Sequence, residues 1–163
     1  YQLSLTQRPE PSMSIDLWDF AQTLYGCSGV EKACLHLQAN GADVCLLLTA
    51  LWLEQRNVAC TERRCEALRA LAGRWQPEVI TPLRQLRLDW RAAAQLDQQL
   101  TLLREQVRAL ELQAERTLLL RLQQCSLEWP EEVAGDWLSN LAGRAGREHR
   151  DALDSLRIAV AGY

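Results

Sequence analysis

Residues 42–56 read ADVCLLLTALWLEQR, and between Val44 and Leu53 only Thr49 is polar. A helix that is apolar around its whole circumference has to be covered on every side, whereas a surface helix needs one apolar stripe. This stretch is therefore expected to be the central helix of the fold. A membrane span needs roughly 20 consecutive apolar residues, and Asp43, Glu54 and Arg56 flank this run too closely for that length. It reads as a core helix.

The chain on either side supplies its cover. Ser14 is expected to cap a helix carrying Leu17, Phe20, Ala21 and Leu24 on one face, with Trp18 and Tyr25 widening it and Gly26 ending it. Val30, Ala33, Cys34 and Leu37 form a second stripe that closes at Asn40-Gly41. After the central helix, Thr61 is expected to cap a helix facing inward through Cys65, Leu68, Ala72 and Trp75, ended or kinked at Pro77. Thr81-Pro82 reads as a fresh start, with Leu83, Leu86, Trp90 and Ala94 inward.

Leu100, Leu103, Val107, Leu110, Ala114, Leu118, Leu122 and Cys125 then recur by threes and fours without an internal proline or glycine, which predicts one long helix over about 97–125. Leu102 and Leu120 project opposite that stripe and suggest a second covered side. Trp129-Pro130-Glu131-Glu132 reads as a helix start, leading into a short helix through Val133, Trp137 and Leu141. Gly143 and Gly146 are expected to hinge it to a last helix with Leu153, Leu156 and Val160 inward. No strand alternation and no repeat occurs. The expectation is an all-α bundle of about seven helices, a single domain over residues 14–163.

Residues 1–13 differ in composition, with Pro9 and Pro11 and no helical period, and are expected to be an extended or disordered extension. Met13 is the only methionine and marks a candidate native start, the residues before it being an upstream or fused segment. Alternating Tyr1, Leu3 and Leu5 would suit a peptide lying in a groove, in cis or on a neighbouring chain. Contacts near Arg84, Arg87 and Arg91 are expected in that case.

With 18 basic against 21 acidic side chains the net charge is −3, so no global field marks a nucleic-acid or membrane-surface binder. Lys32 is the only lysine and every other basic residue is arginine. The six cysteines, Cys27, Cys34, Cys45, Cys60, Cys65 and Cys125, include no CxxC pair and no Cys/His cluster at zinc-finger spacing. A chain with 48% hydrophobic residues does not need a disulfide scaffold, and a reducing, cytoplasmic compartment is expected.

Four segments, LWDFAQTLY, ACLHLQANGADVCLLLTALWL, WQPEVITPLRQLR and ELQAERTLL, together resemble a family of uncharacterised proteobacterial cytoplasmic proteins, a domain of unknown function. The resemblance covers roughly Ser14 to Leu122 and rests on a Trp-Asp near the start, Cys-Leu-x-Leu-Gln, Gly-x-Asp-Val and Pro-Leu-Arg-x-Leu-Arg. The matching positions include Trp18, Asp19, Cys34, Gln38, Gly41, Asp43, Val44, Trp52, Arg84, Arg87, Glu111 and Glu115. Cys45 departs from it, standing where relatives have asparagine. The resemblance implies an all-helical bacterial protein and supplies no activity.

No nucleophile beside a base and no metal-ligand spacing stands out, so no catalytic residue, metal or cofactor is expected. His36 and His149 each read as isolated structural histidines. Glu111 and Glu115, one helical turn apart, read as a solvated acidic edge paired with Arg104 and Arg108. The candidate partner-binding residues are the row Arg84, Arg87 and Arg91 with Trp18 and Trp90, because Arg and Trp dominate interface hot spots. The alternative for the arginines is internal pairing with Asp16, Asp19, Glu111 or Glu115. The leading functional expectation is a non-catalytic adaptor or regulator that binds a protein or peptide. An RNA- or ribosome-associated factor and a small-molecule sensor with an apolar pocket beside the central helix are the alternatives.

Overall fold

Asp43 starts the helix at the centre of the molecule by accepting, through Oδ1, from the backbone N–H of Cys45 at 2.9 Å and of Leu46 at 3.3 Å. The computed structural model describes residues 16–163. In chain order the helices are α1 (Leu17–Tyr25), α2 (Val30–Ala39), α3 (Val44–Gln55), α4 (Glu62–Trp75), α5 (Thr81–Asp89), α6 (Arg91–Ala94), α7 (Gln98–Ser126), α8 (Trp137–Glu148) and α9 (Arg150–Ala161). Among the described residues there is no strand, only an isolated antiparallel bridge between Val58 and Glu131. The protein is an all-α bundle.

α3 is the core helix that its composition requires. Every residue from Cys45 to Leu53 is buried, Thr49 included, whose hydroxyl is satisfied by donating to the Cys45 carbonyl at 2.7 Å. α1, α2, α4, α7, α8 and α9 all pack around it. α2 meets α9, so the chain's last helix closes against one of its first.

Three local expectations are corrected and one takes an unforeseen form. α4 does end just ahead of Pro77, at Trp75, but a π-helical turn, Gln76–Ile80, carries the chain directly into α5. Proline lacks an N–H and crowds the carbonyl four residues back, and a wider turn accommodates both. The helix expected from Thr81 to Ala94 breaks at Trp90 into α5 and α6, and α5 has no fully buried residue. Along α7 only the second half reaches the core, through Ala114, Leu118, Leu119 and Leu122. Leu102, Leu103, Leu110 and Leu120 are at least half exposed, so the second covered side of that helix is absent among the described residues. Finally, Trp129-Pro130 does not start a helix, and Val133 is exposed. Residues 130–135 instead run beside the chain following α3, where the Glu132 N–H donates to the Asn57 carbonyl at 3.0 Å, and α8 begins at Trp137 under an Asp136 cap.

The first helix is capped by Asp16, which accepts from Trp18 N–H at 2.8 Å. The expectations for Ser14, Met13 and the segment 1–13 lie outside the described residues. The glycine hinge is at Gly143, whose φ of 57° kinks α8 and is open to glycine at little cost.

Gly135 is required for a different reason. A Cβ there would stand 2.6 Å from the Cys60 nitrogen and 2.8 Å from the Val58 carbonyl oxygen, the same oxygen that accepts from Trp137 Nε1 at 2.7 Å. Gly135→Ala is expected to cost about 1–3 kcal/mol, the range for overpacking a closed site. Urea denaturation checks this, with Gly73→Ala, where nothing lies within 4 Å, as the control.

Candidate functional site

Helical spacing places Arg84 and Arg87 on one side of α5 and Glu111 and Glu115 on the facing side of α7. The two rows interlock. Arg84 Nε donates to Glu111 Oε1 at 3.1 Å, and its Nη2 donates to Glu115 Oε1 at 3.2 Å. Arg87 forks onto Glu111, Nε to Oε2 at 2.6 Å and Nη2 to Oε1 at 3.2 Å. Arg104 Nε donates to the Arg87 carbonyl at 2.9 Å.

This cluster forms the polar side of a cleft of about 420 Å³. α1 contributes Trp18 and Tyr25, α2 Leu35 and Gln38, and the start of α3 contributes Val44, Cys45 and Leu48. The π turn contributes Gln76, α5 Leu88, and α7 Leu112 and Leu119. Gln76 is held by donating its Nε2 to Asp43 Oδ1 at 3.0 Å, so the cap of the central helix also orients a side chain of the cleft. With its amide turned so that oxygen faces the guanidinium, Gln38 accepts from Arg84 Nη1 at 2.8 Å.

The acids differ electrostatically. Burial works against ionisation of Glu111, but hydrogen bonds from Arg87 and Arg84 outweigh it and hold its carboxyl below the usual glutamate range. Glu115 has one such bond, and burial raises it. Burial likewise raises Asp43 despite its two backbone donors and Gln76. Burial pushes the Tyr25 phenol and the Cys34 thiol up to about 12, and raises Cys45 well above its usual value, with nearby Asp43 adding to the effect. These thiols stay protonated at neutral pH, the unreactive form.

A family described as protein of unknown function (DUF2390) matches residues 16–122. The chain belongs to that family. No curated protein and no solved structure matches it. Every residue lining the cleft falls inside the family's span, while α8 and α9 lie beyond it.

Of the residues singled out from sequence, Trp18, Arg84 and Arg87 line the cleft. Arg91 is exposed and Trp90 half-buried at the α5–α6 break, and neither reaches it. The arginine row is thus not one surface, since Arg84 and Arg87 turn inward. The expected solvated edge is corrected too: Glu111 is buried and pairs with α5, not with Arg104 and Arg108. The signal was present, because Glu111 falls in register with Val107, Ala114 and Leu118, and a charge on an apolar stripe requires a buried partner. Gln76 and Tyr25 were not identifiable, since their roles depend on the π turn and on where α1 lands.

Other arginines also find internal partners. Arg116 lies over Trp18 at 5.1 Å from the ring centroid, Arg121 over Trp75 at 4.1 Å, Arg64 over Trp129 at 5.2 Å and Arg56 over Trp52 at 4.4 Å. His36 and His149, 113 residues apart, meet outside the cleft, Nε2 to Nδ1 at 2.9 Å. Cys60 and Cys65 are free thiols whose sulfurs lie 3.4 Å apart. Among the described residues no group of three or more His, Cys, Asp or Glu is placed to hold a metal ion, and no helix is long and apolar enough to cross a membrane.

Proposed function

We propose that the chain is a regulatory binding protein of the bacterial cytoplasm whose cleft beside α3 receives a small amphipathic molecule. One observation carries this reading. Leu35, Leu88 and Leu112 are 48%, 46% and 53% exposed, and all three converge on the mouth of this cleft. Large apolar side chains left in water around a concave site mark a surface kept for a ligand. The volume falls within the range of small-molecule sites, roughly 300–1,000 Å³, and apolar walls with a few placed polar groups are their usual lining. The inward pairing of Arg84 and Arg87 weighs against the RNA reading, which needs guanidiniums offered to phosphates.

The adaptor reading has support of its own. Leu102, Leu103 and Leu110 lie exposed on the first half of α7, outside the cleft, and would serve as a surface for a protein partner that senses the occupied state.

A thermal-shift screen of host metabolites against the protein tests the cleft. A compound that raises the melting temperature of the wild type is expected to lose that effect in Leu112→Trp, which fills the mouth from an already exposed position. Equal shifts in both proteins would place the ligand elsewhere and defeat the proposal.

A further inference from the structure

The polar groups of the cleft are unequally engaged. Arg84 commits all three of its nitrogens within the protein, to Glu111, Glu115 and Gln38, and Arg87 directs Nε and Nη2 to Glu111, leaving Nη1, among the described residues, as the one unengaged donor nitrogen of this pair. The acceptors are less occupied. Among the described residues Glu115 receives one hydrogen bond, on Oε1, so its Oε2 is free, and Gln76 uses only its Nε2, so its Oε1 is free. The charged lining is balanced, Arg84 and Arg87 against Glu111 and Glu115, so the free acceptors and not net charge set the preference. Trp18 and Tyr25, two aromatic side chains, stand among the walls.

We propose that the cleft selects an organic cation, with an ammonium or guanidinium head donating to Glu115 Oε2 and Gln76 Oε1 and an apolar stem against Trp18, Tyr25 and Leu48. This rests on the reading of the cleft as a ligand site and adds the charge of its occupant. A donor-rich cation satisfies the free acceptors with charge-assisted hydrogen bonds while its apolar stem lies against the aromatic side chains. An anion meets the unpaired side of Glu115 and is repelled. Because burial raises Glu115, a cation that favours its ionised form displaces a proton. Affinity therefore rises with pH through the range in which Glu115 titrates.

The test is calorimetric titration of the full chain with three probes of one shape: phenethylammonium, phenethyl alcohol and phenylacetate. The cation is expected to bind roughly tenfold more tightly than the alcohol, with phenylacetate weakest. Within the pH range in which Glu115 titrates it should release protons on binding, seen as a dependence of the apparent enthalpy on the buffer's ionisation heat. A blocked arginine tripeptide as a fourth probe distinguishes a free amine from a partner's side chain, and binding of either supports the proposal. In Glu115→Gln, which keeps an acceptor for Arg84 but removes the charge, the preference for the cation over the alcohol is expected to vanish while the alcohol's affinity persists. That persistence shows that the variant is folded. If the alcohol or phenylacetate binds as tightly as the cation to the wild type, or if Glu115→Gln keeps the preference, the charge assignment is overturned while the cleft remains a ligand site. If no probe of any charge binds, the cleft reading falls with it.

Discussion

Leu47→Ala is expected to lower the free energy of unfolding by about 2–5 kcal/mol, the range for emptying a well-packed leucine site. Leu47 is fully buried at the end of the first turn of α3, the helix on which α1, α2, α4, α7, α8 and α9 converge. Its neighbours belong to elements fixed by many other contacts, so they cannot all move in to refill the lost volume. The matched control is Leu102→Ala on α7, where the leucine is 67% exposed and truncation should change stability by less than about 0.5 kcal/mol. Urea denaturation of both variants measures the contrast. A cost below about 1 kcal/mol at Leu47 would remove α3 from the centre of the core.

The second large effect is expected at Glu111. Glu111→Ala should cost about 3 kcal/mol, since taking one partner out of a buried ionic cluster leaves the others uncompensated. The Glu111 side chain is 8% exposed and its partners Arg84 and Arg87 are 28% and 20% exposed, so water reaches the guanidiniums only in part. α5 contributes no fully buried residue, and its attachment to α7 therefore depends on this cluster more than on apolar burial.

The sign of the pH dependence follows from the depressed carboxyl. Its folded value lies below the unfolded one, so the stability that it contributes is fully present above the ordinary glutamate range and is lost as pH falls through the folded value. The gap between wild type and Glu111→Ala should narrow on acidification. Glu115 and Asp43 act in the opposite sense: their raised folded values make stability fall as pH rises from the ordinary carboxylate range through them. A gap that stays constant from neutral to acidic pH would mean that the fold does not depress the Glu111 carboxyl, and a gap that widens would mean that it is held neutral.

The amino-acid sequence by itself determined the helical class and the identity of the core helix, because both follow from local pattern. An apolar circumference from Cys45 to Leu53 admits no partly exposed solution, and the stripes of α1, α2 and α4 repeat at helical period with the cap Thr61 ahead of α4. Local pattern failed where distant segments competed. Residues 130–135 carry a helix-start signal, yet pairing with the chain after α3 and the close approach of Gly135 to Cys60 took precedence. Leu103 and Leu110 have the right period to face inward, yet each stays half exposed. The candidate site depended still more on tertiary structure. Trp18, Arg84 and Arg87 were legible as residue types, but sequence alone left open whether the arginines face a partner or Glu111. The choice was made by the crossing of α5 on α7, which brings residues 24 to 31 positions apart within hydrogen-bond distance. The cleft itself exists only because the π turn, α1 and the start of α3 close around that crossing, and a packing gap between elements has no local signature in any of them.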